Sequence, residues 1–478
     1  MERRQFLYLS GLSTLGARLA LSPQTADPFD ELARLVEAKM AEHHIPGVAF
    51  GVLRNGKRTV RGFGVTSVED PKPITPDTVF PIASISKTFT ATAIMRLVDQ
   101  GKMDLKSPIR KILPEFKVQD EAVSREVSVW HLLTHSPGWE GQIAATDKGV
   151  DTMSAFAARM ADWPQVSAPG SVWSYNNAGF NLAGRVIEVV HGKGIHDALK
   201  DLVYAPLGLK RATTRTGEAM SYRFAQGHRQ RPQGTQTDQS HSFELPPDIT
   251  AGGIATTVQD LLTYAEFHLG DGTAQGQRVL TQAALDLMKT AQLKKNSTDD
   301  EIGLAWQLRH LNGVLTAAHG GTLGGHTLHI QLVPARKLAF VILTNHGDGW
   351  RLIQDVERAT LKAYEGLTLT PNQAIGHRGV SEAMTGHASP LPNQPALAEY
   401  VGIYQRPSGK VEVRNDGGKL IVVNGNAATG SALVFYGPDI AYAAAGPAYV
   451  GTPHEFVRTS QGKVGWIRIN GRISRKDA

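Results

Sequence analysis

The chain has 478 residues, of which 41% are hydrophobic and 20% charged, with a formal net charge of +6 and no cysteine. That length suits two or three domains, and the apolar share is enough for a sizeable core. The missing cysteines exclude disulfides, thiolate zinc sites and a cysteine nucleophile, and the scattered Lys and Arg residues form no basic block of the kind nucleic-acid binding requires.

At the start, Arg3-Arg4-Gln5-Phe6-Leu7 precedes a modest apolar run to about Ala17. This resembles a twin-arginine export signal over residues 1–26, and a periplasmic or secreted protein is expected from it. The run is too short to span a bilayer, and no later stretch is long and apolar enough, so no transmembrane segment is expected.

Phe29 to His43 has helical apolar spacing. Pro46–Arg54 and Lys57–Val65 read as strands joined by Asn55-Gly56, a strong hairpin signal. Ser84 to Gln100 reads as a helix ending at Gly101, and Asn176 to His191 as another ending at Gly192. Thr257-Val258-Gln259-Asp260 resembles a capping box that opens a helix through Phe267. Leu304–His310, Gly313–Ala318, His326–Val333 and Lys337–Asn345 follow as strands, and Arg351–Tyr364 as a helix. Strands early and late with helices between predict an antiparallel sheet built from both ends of one domain, residues 27–366, with an inserted helical region.

Residues 367–395 lack periodicity and carry Pro371, Pro390, Pro392 and Pro395, the composition of a linker. From residue 396 to 478, short β-like runs such as Lys410–Arg414, Lys419–Val423, Ala432–Tyr436 and Lys463–Ile469 predict a small all-β barrel. Its strand edges would allow self-association into a homo-oligomer.

The chemistry concentrates at Ser84-Ile85-Ser86-Lys87. Three residues apart on a helix, Ser84 and Lys87 share a face. A neutral lysine there can take the hydroxyl proton and make serine a nucleophile without histidine. A helix N-terminus also offers unpaired N–H groups to an oxyanion. Ser460-Gln461-Gly462-Lys463 has the same spacing, but Gln461-Gly462 reads as a hairpin turn. Tyr175-Asn176-Asn177 is the only Y-x-N in the chain; alone it reads better as a buried tyrosine beside a capping Asn than as a proton relay. His319-Gly320-Gly321-Thr322 alone reads as a turn between strands.

In their order and spacing, with flanks Val79–Lys87, His131–Gly138, Pro206–Leu209 and Ala251–Thr257, these elements closely resemble the serine β-lactamase-related superfamily, in particular its class C-like group of β-lactamases, esterases and peptidases. The resemblance covers roughly Phe29 to Tyr364, and Leu397 to Arg472 is similar to the lipocalin-like β-barrel often appended to such hydrolases. It implies an α/β (α+β) sandwich of β-lactamase/transpeptidase type, with an antiparallel sheet flanked by helices, a helical subdomain and the small all-β domain behind. It also implies Ser84 as the acylated nucleophile, Lys87 as its base and Tyr175 as the proton relay. Asn177 would hold Lys87 and the substrate, His319, Gly320 and Gly321 would line the substrate strand, and the N–H groups of Ser84 and Thr322 would form the oxyanion hole.

β-Lactamases usually carry a lysine where this chain has His319. A histidine titrating near neutrality would offer a weaker, pH-dependent charge. The expectation is therefore an esterase-like serine hydrolase acting on a small ester, amide or peptide, with a β-lactamase or a D-amino-acid-specific peptidase as alternatives. A non-catalytic peptidoglycan-binding protein is the alternative from another class. No cofactor is required and no metal expected, since His131 with His135 has no third ligand in view and His326 with His329 lacks the alternating register of one strand face.

Overall fold

The computed structural model describes residues 27–141, 152–238, 249–295, 300–368, 391–425, 427, 429–445 and 452–477. Residues 1–26, where an export signal is expected, and most of the expected linker lie outside these residues. Among the described residues no helix is long and apolar enough to cross a membrane, and no cluster of metal-ligating side chains is found.

Helix α1 (Phe29–Glu42) opens with Asp30 and Glu31 in its first turn, where the helix dipole favours acids, and buries Phe29, Leu32, Ala33 and Val36. Strands β1 (Gly47–Arg54) and β2 (Lys57–Gly64) follow. Their turn residues Asn55 and Gly56 both have positive φ, as a two-residue hairpin turn requires. Ala83–Ile85 form one 3-10 turn ahead of helix α2 (Ser86–Asp99). Helix α3 (Asn177–His191) is capped by the Asn176 side chain and ends at left-handed Gly192. Helix α4 (Val258–Leu269) is capped by Thr257, whose hydroxyl accepts from the Asp260 N–H.

Six late strands complete the sheet: β3 (Leu293–Lys294), β4 (Glu301–Ile302), β5 (Gln307–Leu311), β6 (Val314–Leu323), β7 (His326–Val333) and β8 (Leu338–Thr344). Helix α5 (Trp350–Glu365) follows. The order across the sheet is β2-β1-β8-β7-β6-β5-β4-β3, and every pair is antiparallel. The first hairpin therefore pairs with the last strand, as the early-and-late distribution of strands predicts.

The central strands are apolar on both faces because both are covered. On β1, Val48, Phe50 and Val52 join α1 and α5 in one core, while Ala49 and Leu53 face the larger core that includes α2, α3 and α4. β8 alternates in the same way, with Leu338, Phe340 and Ile342 on one side and Ala339, Val341 and Leu343 on the other. Burying each such large side chain is worth about 1.5–3 kcal/mol. Strand β6 runs five residues beyond the predicted end at Ala318, so His319-Gly320-Gly321-Thr322 is mid-strand and not a turn. Glycine pairs lower β-propensity, and the register against β7 overrides it.

The C-terminal strands are β9 (Gly402–Arg406), β10 (Gly409–Asp416), β11 (Lys419–Asn424), β12 (Ser431–Gly437), β13 (Ile440–Ala445), β14 (Pro453–Arg458), β15 (Val464–Ile469) and β16 (Arg472–Lys476). They form a closed barrel, completed by pairing of β9 with β16. Its core is filled by Tyr400, Tyr404, Phe435 and Phe456 with aliphatic neighbours. Ser460–Lys463 lies in the β14–β15 turn, with Gly462 at positive φ, as its sequence context indicates.

Burial holds the imidazoles of His135 and His268 well below the usual value, His319 at about 3 and His326 at about 4. Unfolded, these rings protonate near 6.5; folded, they stay neutral. Stability is therefore complete above pH 6.5 and falls as pH drops toward the folded values, by at most about 1.4 kcal/mol per pH unit for each ring. The thermal midpoint should be several degrees lower at pH 5 than at pH 7, and His268→Gln should narrow that gap. Equal midpoints at the two pH values would contradict this.

Candidate active site

Ser84 sits in the 3-10 turn Ala83–Ile85, immediately before α2, with Ala83 forced to φ +47°. A non-glycine residue at positive φ is strained, and Ser84, which follows it, is partly exposed while its neighbours are buried. Lys87, in the first turn of α2, is fully buried. Its Nζ lies 3.1 Å from Ser84 Oγ and donates at 2.6 Å to the carbonyl of Ala251. The helical spacing read from the sequence thus does bring the two side chains together.

Tyr175 is on the other side of the lysine. Lys87 Nζ is 4.9 Å from the centre of the Tyr175 ring and 5.7 Å from that of Phe180. Asn177, the first residue of α3, directs its N–H to the carbonyl of Gly141 at 3.1 Å. Its Oδ1 is buried and accepts no hydrogen bond. Lys87 is therefore not held by Asn177 Oδ1, as the resemblance implied; the carbonyl of Ala251 does that work.

Gly321 explains how β6 reaches this centre. A Cβ there would lie 2.6 Å from the Ile82 carbonyl oxygen and 3.1 Å from Ala83 Cβ. Only glycine lets the strand press against the turn that carries Ser84. Gly320 and Thr322 flank this contact on the same strand, and the Thr322 side chain is exposed.

His319 departs from the expected weak cation. Its ring is 6.4 Å from that of Tyr175, centre to centre, and is 1% exposed. Burial, with the charge of Lys87 next, lowers its pKa to about 3, so the imidazole is neutral at physiological pH. Nδ1 donates to the Gly320 carbonyl at 2.6 Å, and this assigns the ring proton to Nδ1. Nε2, buried and unpartnered, presents a lone pair.

His135 was passed over in the sequence as an improbable metal ligand, yet it braces the tyrosine. Its ring stacks on Tyr175 at 4.5 Å between centres and 26° between planes. Its Nδ1 accepts the Asn176 N–H at 2.9 Å, and its carbonyl accepts the Ser174 N–H at 2.9 Å. The barrel braces the same segment: the Tyr175 N–H donates to the Gly471 carbonyl at 2.8 Å, and the Arg472 guanidinium lies 5.5 Å over the Tyr175 ring. Position in sequence gave no hint of either contact, because His135 lies 40 residues before Tyr175 and Gly471 far after it.

Comparison with known proteins shows the family. A family model described as Beta-lactamase matches residues 32–364. Penicillin-binding protein 4 of Amycolatopsis lactamdurans is 31% identical over 392 residues, which is 80% of this chain and 99% of that protein. The crystal structure of SurE with D-Leu superposes with a TM-score of 0.76 at 24% identity, covering 94% of this chain and 99% of SurE. The crystal structure of the class C β-lactamase from Rhodobacter sphaeroides has a TM-score of 0.59 at 23% identity, with 70% of this chain and 99% of that enzyme covered.

Gly321→Ala should push β6 off the Ile82–Ala83 turn and lower kcat/KM for an ester at least tenfold, with the thermal midpoint within a few degrees of wild type. An unchanged kcat/KM would show that this approach does not position Ser84.

Proposed function

The chain belongs to the β-lactamase family of serine hydrolases, and we propose that it is an esterase-like member acting on esters or amides through an acyl-enzyme on Ser84. The observation that carries this reading is His319. A neutral imidazole at that position gives a substrate carboxylate no fixed positive charge on that strand, which supports uncharged acyl substrates.

In the proposed reaction Ser84 Oγ attacks the substrate carbonyl carbon while Lys87 Nζ, 3.1 Å away, takes the hydroxyl proton. This step needs Lys87 in its neutral form. The tetrahedral oxyanion is received by the N–H groups of Ser84 and Thr322. The carbon–heteroatom bond then breaks, and the leaving group departs with a proton delivered through Tyr175. Water attacks the acyl-enzyme with the same groups acting as base, which releases the acid and restores Ser84. Every step is supplied by these side chains and backbone N–H groups, with no cofactor.

A second reading, a peptidase for D-amino-acid substrates, draws on the D-Leu in the SurE structure and on the likeness to a penicillin-binding protein. It uses the same machinery and differs only in the acyl and leaving groups.

Initial rates with p-nitrophenyl butyrate and nitrocefin test the proposal, each compared with Ser84→Ala and Lys87→Gln. The expected result is ester turnover with little nitrocefin turnover, and a fall of at least a hundredfold in both variants. Nitrocefin turnover faster than ester turnover would make the protein a β-lactamase. Full activity in Ser84→Ala would end the acyl-enzyme reading.

A further inference from the structure

Besides Glu140, the described residues of the barrel bond to a strip of the α/β body from Val166 to Tyr175. Trp466 Nε1, on β15, donates to the Val166 carbonyl at 3.1 Å. Arg468 Nη2 donates to the Trp173 carbonyl at 3.1 Å, with the guanidinium 5.6 Å over the Trp173 ring. The Ile473 N–H donates to Ser174 Oγ at 3.3 Å, and the Gly471 carbonyl accepts the Tyr175 N–H at 2.8 Å. Three consecutive residues, Trp173, Ser174 and Tyr175, are thus each bonded to the β15–β16 hairpin.

The attachment is built to last. Val166 and Val172 pack against Ile473, Val457 and Trp466 in a small apolar cluster at the junction. Arg468 is 7% exposed and paired with Glu455 on the neighbouring strand, so its fork is fixed before it meets Trp173. The Ser408 N–H and hydroxyl both donate to Glu140, the former at 2.7 Å, and Arg406 lies 3.7 Å from the same carboxylate. The turn itself tolerates little change: Gly471 has φ +76°, and a Cβ there would meet the Trp173 ring at 3.3 Å and Tyr175 Cβ at 3.6 Å. By contrast Ser84, Lys87 and Ala251 all lie in the α/β body and are joined to one another without the barrel.

We propose that the barrel is a working part of the active site, in which Arg468 and the Gly471 turn are positioning residues for Tyr175. His135 grips the tyrosine segment from inside, through Ser174, Asn176 and the stacked ring; the hairpin grips it from outside. Proton delivery to the leaving group depends on both grips, whereas formation of the Ser84 nucleophile depends on neither. The inference rests on the reading of Tyr175 as the proton relay.

That division can be measured with leaving groups of different basicity. Fluoride from a fluorophosphonate and p-nitrophenolate leave without a proton, and ethoxide requires one. In the full chain, the double variant Arg468→Gln/Glu455→Gln removes the fork without stranding a buried charge, and Gly471→Ala provides an independent disturbance of the turn. Each should lower kcat/KM for ethyl butyrate by about tenfold or more, as Tyr175→Phe should, while kcat/KM for p-nitrophenyl butyrate and the rate of fluorophosphonate labelling of Ser84 change by less than about threefold. Arg468→Lys should recover part of the loss. An equal fall for both esters and for labelling would mean that the barrel only stabilises the fold, and the proposal would fail. If Tyr175→Phe itself leaves the ratio of the two esters unchanged, the tyrosine relay is wrong. If Tyr175→Phe changes the ratio and the hairpin variants do not, the relay stands and the barrel's part in it is refuted.

Discussion

A buried amine organises this molecule. Lys87 has no exposed surface, and a polar group in that position is costly unless it is hydrogen-bonded. Its partners come from two different segments: Ser84 from the turn before α2 and the carbonyl of Ala251 from the stretch leading to α4. The Tyr175 and Phe180 rings close over it. To satisfy and enclose one nitrogen, the fold brings three stretches of chain into register, and the same register aligns the reacting groups. The site is a by-product of solving a core-packing problem.

Much of this was legible in the sequence, and the reasons differ from element to element. Asn55-Gly56, the helix ends at Gly101 and Gly192 and the cap at Thr257 are local signals, so their elements appear within a residue or two of expectation. Ser84 with Lys87 is also local, because helical spacing alone makes them neighbours. His319–Thr322 looked like a turn because glycine pairs usually break strands; here they are required by an approach to Ile82 that no local pattern announces. Barrel strands such as Ile440–Ala445 and Arg472–Lys476 escaped notice because alanine and charged residues dilute the alternation, and only closure of the barrel makes them strands.

The electrostatic character of the site was the least legible feature. A histidine in sequence carries its ordinary value near 6.5, and only burial tells where it moves. His319 moves far enough to lose its charge throughout the physiological range, which changes a weak cation into a hydrogen-bond acceptor. His135 is likewise neutral, and it serves as an acceptor for the backbone of the tyrosine segment. Two imidazoles beside a Ser–Lys pair thus act as fixed dipoles, and neither replaces the lysine as base.

The contacts between the β15–β16 hairpin and the segment from Val166 to Ser174 join residues 295 to 300 positions apart. At synthesis rates of about 5–20 residues per second, the tyrosine segment spends roughly 15–60 s without that partner while the ribosome completes the intervening chain. Small helical units form in microseconds, so the Ser84–Lys87 half of the site has ample time to assemble during that interval. Order of synthesis therefore makes the nucleophile first and its outer brace last, which leaves a nascent chain with an ordered serine and an unsupported proton relay.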